Sequence, residues 1–154
     1  MMDMLVRLYD LPDIEEELRK LEKDGILIRR PGAYERHLVA GWVGRNFSPK
    51  WVSETKTAFS RQPISCYIAT REKKILGFAC YDVTARGFLG PMGVAEEARK
   101  SGVGKVLLVS ALNALREMGH AYGIIGGDFY ARTVGAMPIE GSSPGIYVDI
   151  LPEP

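Results

Sequence analysis

The 154-residue sequence predicts an α+β fold: a mixed, mostly antiparallel sheet flanked by helices. Three observations carry this expectation. Helical periodicity occupies the first sixty residues. A hairpin-like run of apolar and β-branched residues fills Ile64 to Val94. A strongly amphipathic helix, Lys105 to Met118, then joins that run to another apolar strand, Tyr122–Ile125. A meander followed by a strand–loop–helix–strand unit gives a sheet with both antiparallel and parallel neighbours.

Asp10 to Gly25 reads as a surface helix. Pro12 suits a first turn, acidic Asp13, Glu15, Glu16 and Glu17 crowd the positive end of the helix dipole, and Lys20 and Lys23 lie near the negative end. Leu11, Ile14, Leu18 and Leu21 form its apolar stripe, and Gly25 caps it. Ile26 to Arg30 is a short strand stopped by Pro31-Gly32. Tyr34 to Phe47 is helical. Ser48-Pro49 ends that helix, and Ser48 caps a further one reaching about Ser60. Pro63 closes the helical part.

Ile64–Thr70 and Ile75–Asp82 are strands joined by the charged turn Arg71-Glu72-Lys73-Lys74, and Thr84–Gly87 turns into a third strand, Phe88–Val94. In the helix Lys105–Met118, Leu107, Leu108, Ala111, Leu112, Leu115 and Met118 face inward, and Gly119 stops it. A brief helical piece, Asp128 to Val134, follows Gly126-Gly127. Ile139 and Ile146–Leu151 supply the closing strand material.

Composition narrows the function. Twenty Lys+Arg against nineteen Asp+Glu leave a formal charge of +1, without the cationic surplus of a general nucleic-acid or membrane-surface binder. The longest apolar runs fall short of the roughly 18 residues of a membrane span, and the N-terminus, broken by Asp3, Arg7 and Asp10, lacks a signal-peptide core. The two cysteines, Cys66 and Cys80, form no CxxC motif. They read as reduced core thiols, which argues for a cytoplasmic protein without a structural metal.

The stretch that carries chemistry is Val94-Ala95-Glu96-Glu97-Ala98-Arg99-Lys100-Ser101-Gly102-Val103-Gly104-Lys105. A strand ends, a loop of small residues follows, and a helix begins. The first N–H groups of a helix have no internal partner, and its dipole places partial positive charge there. Gly102 and Gly104 remove side chains so that an anion can approach those amides, and Arg99, Lys100 and Lys105 add charge. The physical expectation is a pyrophosphate cradle. A P-loop would need Gly where Arg99 stands and Ser or Thr where Val106 stands. A Rossmann turn would need a third Gly at Leu107.

Arg99-x-x-Gly102-x-Gly104, opening a helix after a strand that ends at Val94, resembles the coenzyme A loop of the GNAT acetyltransferase superfamily, (Q/R)xxGx(G/A). The resemblance covers about residues 25 to 154, leaving residues 1–24 as an N-terminal helical appendage. It implies that Met92, Gly93 and Val94 pair with a pantetheine arm, and that the backbone of Lys100, Ser101, Gly102, Val103, Gly104 and Lys105, with Arg99 alongside, holds the pyrophosphate of acetyl-CoA. The thioester would enter between this strand and Tyr122–Ile125. Glu96 stands where the family often has Pro.

Phe129-Tyr130, followed by Gly135-Ala136, resembles the family's (F/L)Y-x-x-x-G-F run with one extra residue, and it implies Tyr130 as the acid that protonates the leaving thiolate. No acid lies on the strand Phe88–Val94. Asp82, Glu54, Asp128, His37 and His120 are therefore the candidate bases, with proton loss through water equally compatible. Aromatic Tyr34, Trp42, Phe47, Trp51 and Phe59 are placed around an acceptor pocket. The expected function is transfer of an acetyl group from acetyl-CoA directly to an amine of a small molecule or peptide. The alternative is a non-catalytic acyl-CoA-binding regulatory or interaction module. The family's habits and the apolar C-terminal strand suggest a homodimer.

Overall fold

The computed structural model describes residues 2–146 and 151. Its strands are β1 (Asp3–Arg7), β2 (Leu27–Arg29), β3 (Cys66–Arg71), β4 (Lys74–Tyr81), β5 (Phe88–Val94), β6 (Tyr122–Gly126) and β7 (Met137–Pro138). Its helices are α1 (Glu15–Lys23), α2 (Arg36–Asn46), α3 (Pro49–Ala58), α4 (Val103–Glu117) and α5 (Ala131–Val134). The strands form one sheet in the order β2-β3-β4-β5-β6-β1-β7. The neighbours β5 and β6 are parallel, and every other pair is antiparallel. This is the mixed, mostly antiparallel α+β sheet that the sequence predicts. No helix among the described residues is long and apolar enough to cross a membrane.

The sheet has a core on each face. Helix α4 buries Val103, Val106, Leu107, Leu108, Ala111, Leu112 and Leu115 against β1, β4 and β5, with Leu21 and Ile26 closing one end. Fully burying a Leu or Val stabilises by about 1.5–3 kcal/mol, so this helix is the main anchor of the fold. On the opposite face α2 and α3 pack Val39, Val43, Ala58 and Phe59 against Ile68, Phe78 and the two cysteines. Trp42, Phe47, Trp51 and Phe78 stack there with ring centroids 4.8–6.0 Å apart.

The N-terminal segment differs from expectation. Residues 3–7 are not part of a helical appendage: β1 lies between β6 and β7, with Leu5 opposite both Ile124 and Met137. Met4, Val6 and Leu8 alternate into the α4-side core, which is why this segment is a strand. Helix α1 starts at Glu15, not Asp10, because the Asp13 carboxylate accepts the Glu15 N–H at 2.9 Å and sets the first turn there. At its other end Gly25 takes φ +77° and Ile26 N–H reaches back to the Leu21 carbonyl at 2.9 Å, the six-to-one closure of a Schellman motif. Helix α5 is four residues long, so Asp128–Tyr130 precede it rather than belong to it. The closing strand expected over Ile146–Leu151 falls largely outside the described residues.

Two strand-to-helix corners matter below. Between β2 and α2, Arg29 forks onto Glu35 at 2.7 and 2.8 Å, and Glu35 also accepts the Gly32 N–H at 2.8 Å. The Arg29 fork holds the Glu35 carboxyl down at about 2. Between β5 and α4, the N-cap residue is Gly102, which has no side chain to cap the helix, and only the first N–H, of Val103, reaches a side chain, the Ser101 hydroxyl at 3.4 Å.

Candidate active site

The sheet contains a gap. Parallel pairing of β5 with β6 stops at Leu89↔Ile125. Strand β5 runs on to Val94 paired with β4 through Ala79↔Met92, Phe78↔Gly93 and Gly77↔Val94. The register shifts between Ala79 and Tyr81, where β5 carries one extra residue in the Gly90-Pro91 stretch. A bulge bends its strand, and proline offers no ladder donor, so β5 swings away from β6 at this point. Among the described residues, the edge of β5 that faces the gap therefore has backbone N–H and C=O groups without a partner strand.

A cleft of about 1160 Å³ occupies the gap and opens on both faces of the sheet. Met92, Gly93, Val94, Arg99, Lys100, Gly102, Gly104 and Lys105 line it as the sequence predicts, and so does Tyr130. Two predicted residues do not. The Val103 side chain is fully buried beneath β4, and the Ser101 hydroxyl is turned inward to donate to the Ala98 carbonyl. Their contribution is confined to backbone.

The loop before α4 is shaped for an anion. Lys100 has φ +67° and Gly102 φ +94°. Left-handed residues in such a turn aim neighbouring N–H groups into one concavity. A lysine held there costs of order 1 kcal/mol or more, which its own packing does not explain. Val103 N–H takes the Ser101 hydroxyl at 3.4 Å, and beyond it the N-terminus of α4, with the positive end of the dipole, borders the cleft at Gly102, Gly104 and Lys105. Gly104 is the close-approach position, since a Cβ there would collide with the Tyr130 hydroxyl. Arg99 donates from Nε to the Val94 carbonyl at 3.4 Å and remains solvent-exposed. Lys105 is not an open cation: its Nζ lies 2.7 Å from Glu17 of α1, which holds that carboxyl below its usual range.

Tyr130 is half-buried above Gly104. Burial raises its hydroxyl pKa, and nearby Arg99 offsets part of that rise. A phenol in this setting keeps its proton at neutral pH. Its position just ahead of α5 fits the turn closed by Ala131 N–H to the Asp128 carbonyl at 3.1 Å.

The structure separates the candidate bases. Glu54 lines the cleft, and its Oε2 accepts the Thr84 hydroxyl. Asp82 is nearly fully buried. It accepts the Gly87 N–H at 2.8 Å and faces Arg61 and Arg86 at 3.7 and 3.6 Å, so it braces the β4–β5 turn. His37 is exposed on α2, His120 lies beside Gly87 at the far end of β5, and Asp128 is exposed. None of these four lines the cleft.

Of the aromatic set, Phe47 and Trp51 line the cleft, while Trp42 and Phe59 pack in the α2/α3 core and Tyr34 is 82% exposed. Cys66 and Cys80 face each other across β3 and β4, fully buried and away from the cleft. Burial pushes the Cys80 thiol well up, which suits packing and not nucleophilic attack. Among the described residues no group of three or more His, Cys, Asp or Glu could hold a metal ion.

A ligand with a diphosphate, a peptide-like arm and a reactive end fits this donor set. A Cβ at Gly102 would meet only open space, so the α4 N-terminus is accessible to the diphosphate, and the edge of β5 that lacks a partner strand among the described residues matches amide groups along an extended arm. Such an arm joins a sheet edge as an added strand does.

The family model described as acetyltransferase (GNAT) family matches residues 29–126. No curated protein matches the chain. Among solved structures, a GCN5-related N-acetyltransferase from Sphaerobacter thermophilus superposes with TM-score 0.69 at 19% identity, covering 90% of this chain and 48% of its own. A GNAT family acetyltransferase from Brucella melitensis, solved with acetyl-CoA, gives TM-score 0.56 at 18% identity, covering 78% of this chain and 92% of its own. A fungal multi-domain β-N-acetylglucosaminidase carries a GCN5-related glucosamine N-acetyltransferase region that gives TM-score 0.71 at 19% identity, with 90% and 19% coverage. The chain thus spans about half or less of the length of the proteins that cover it most fully.

Proposed function

From the premise that this chain belongs to the acetyltransferase (GNAT) family, we propose that it moves an acetyl group from acetyl-CoA directly to an amine of a small molecule or peptide. The observation that carries the proposal is the gap between β5 and β6. It joins a glycine-capped helix N-terminus on one face of the sheet to an aromatic and carboxylate-lined pocket on the other. Donor and acceptor can then enter from opposite faces and meet between the strands.

Acetyl-CoA, when bound, supplies an acetyl group activated as a thioester. The chain's own groups do the rest. Backbone amides from Gly102 to Lys105 bind the diphosphate, with Arg99 and Lys100 at its rim. Backbone N–H and C=O groups from Met92 to Val94 align the arm and offer donors toward the carbonyl oxygen, where negative charge develops. The amine attacks the thioester carbon as the neutral base, the C–S bond breaks, and the nitrogen's surplus proton leaves through water. Tyr130, protonated at neutral pH, gives its proton to the departing sulfur. Direct transfer is favoured over a covalent enzyme intermediate because both thiols are buried away from the cleft.

Thermal unfolding with and without ligands tests this. Coenzyme A at a hundredfold excess over its Kd should stabilise the protein by about 2.7 kcal/mol, and ATP should do less. Thiol release from acetyl-CoA in the presence of an amine panel then tests transfer. Stabilisation by ATP without coenzyme A would defeat the cradle assignment. Coenzyme A binding with no turnover on any amine would favour a binding module.

A further inference from the structure

The fork of the gap is built from glycine. The last parallel pair is Leu89↔Ile125. The residues that follow on the two strands are Gly90 and Gly126, and both line the cleft. Among the described residues, a Cβ built on either one has no atom within 4 Å. The strands therefore part at a point where neither sends a side chain into the space between them.

The two faces of the sheet differ at this fork. On the α4 side it is plugged. Leu89, Leu108 and Ile125 all reach the cleft, yet each is buried in the α4-side core. A chain continuing from a carbonyl in the gap meets close-packed side chains on that side. Gly126 alternates with Ile125, so the side chain it lacks belongs to the opposite face. There helix α3 packs over β4 and β5, and among the described residues the β6 side of the mouth stays open at Gly126. Apolar rings border the opening: Phe88, out of phase with Leu89, and Phe47 with Trp51, whose centroids lie 4.8 Å apart. Asp3, opposite Gly126 on β1, bounds it on the far side.

We propose that the donor carries a linear acyl group longer than acetyl, threaded between Gly90 and Gly126 toward the face opposite α4, and that Gly126 sets the length admitted. This deepens the acetyl-transfer reading and rests on its coenzyme A cradle. The transfer keeps its form: the acyl C–S bond breaks, the C–N bond forms, and the thiol leaves with a proton. An alkyl chain needs no hydrogen-bond partner, so a fork without side chains suits it. Each methylene taken fully out of water strengthens binding by about fourfold. A side chain at Gly126 would occupy the same space as those methylenes. Gly126 is also the position to alter, because its φ is not positive and its backbone accepts other residues, whereas Gly90 at φ +125° does not.

Calorimetry with coenzyme A and its acetyl, butyryl and hexanoyl thioesters, in the absence of acceptor, tests this on the wild type, Gly126→Ala and Gly126→Leu. In the wild type butyryl-CoA should bind about threefold or more tighter than acetyl-CoA, with two methylenes partly withdrawn from water. Gly126→Leu should lower the ratio of hexanoyl-CoA to acetyl-CoA affinity by about tenfold or more, with Gly126→Ala falling between. Coenzyme A has no acyl group, so its affinity reports that each protein is folded with its cradle intact. Where Gly126→Leu weakens coenzyme A as well, Gly126→Ala carries the comparison. Affinity that is flat or falls from acetyl to butyryl in the wild type, or a ratio unmoved by the variants, overturns the proposal. Loss of coenzyme A binding in the wild type defeats the acetyl-transfer reading instead, so the two failures are distinct.

Discussion

Two corners of this molecule join a strand to a helix, and they finish the job in opposite ways. At the β2–α2 corner the chain closes on itself: Arg29 forks onto Glu35, and the same carboxylate takes the Gly32 N–H. At the β5–α4 corner it stays open. The N-cap is a glycine, the one side-chain contact to the first turn is a long one from Val103 N–H to the Ser101 hydroxyl at 3.4 Å, Lys100 is held at φ +67°, and Gly102 and Gly104 carry no side chain over the amides. Local polar groups satisfied by the chain itself mark architecture. Groups left unsatisfied beside a cleft mark a place where a ligand completes the structure.

The largest effect comes from closing the open corner. Gly104→Glu puts a side chain where the Tyr130 hydroxyl already sits and a negative charge in the phosphate cradle. Coenzyme A affinity should fall by about 100-fold or more by calorimetry, since steric exclusion and charge repulsion act together. Unchanged affinity would show that the two corners do not differ in the way described.

Next is the group above that corner. Tyr130→Phe removes one hydroxyl and leaves the ring. Turnover should drop by about 100-fold, the lower end for a general acid, while coenzyme A affinity stays within a few-fold. Because burial raises this phenol, the alkaline limb of the wild-type pH profile should lie above its ordinary value of 10. An unaltered kcat would confine Tyr130 to packing.

The smallest effect comes from opening the closed corner. Glu35→Gln should cost about 1 kcal/mol of stability, since the Arg29 side chain is partly exposed and solvent screens the pair. Coenzyme A binding should not change. The folded pKa of Glu35, about 2, lies below its ordinary 4.5, so the folded state binds fewer protons than the unfolded one between those values. Its stabilisation is complete above about pH 4.5 and disappears as pH falls toward 2. Denaturant midpoints of wild type and variant should therefore converge over that interval. A constant difference down to pH 2 would refute the ion-pair account.

The sequence made one of these corners legible and hid the other. The bare amides of the α4 corner were visible because glycine spacing, basic residues and a strong apolar stripe lie together within fifteen residues. Tyr130 is legible only through the resemblance of Phe129-Tyr130 and Gly135-Ala136 to the family's run. Glu54 could only be ranked with other acids, because nothing local distinguishes a carboxylate facing a cleft from one facing water. That difference arises when Thr84, thirty residues on, is brought beside it. Lys105 was taken as free cradle charge, and its pairing with Glu17 depends on α1 packing beside α4. The β1 strand carried a signal, the alternation of Met4, Val6 and Leu8, but five residues broken by Leu5 and two charges give too weak a period to separate from a frayed start.

That strand has a consequence for how the protein is made. β1 leaves the ribosome well before both of its neighbours: Asp3 waits for Gly126, and Met4 for Ile125 and Pro138. Synthesis therefore supplies a strand with two exposed edges long before either partner exists. Closure over so long a stretch is entropically slow. Asp3 and Gly126 also form one wall of the cleft, so that wall is complete only once this long-range pairing has closed.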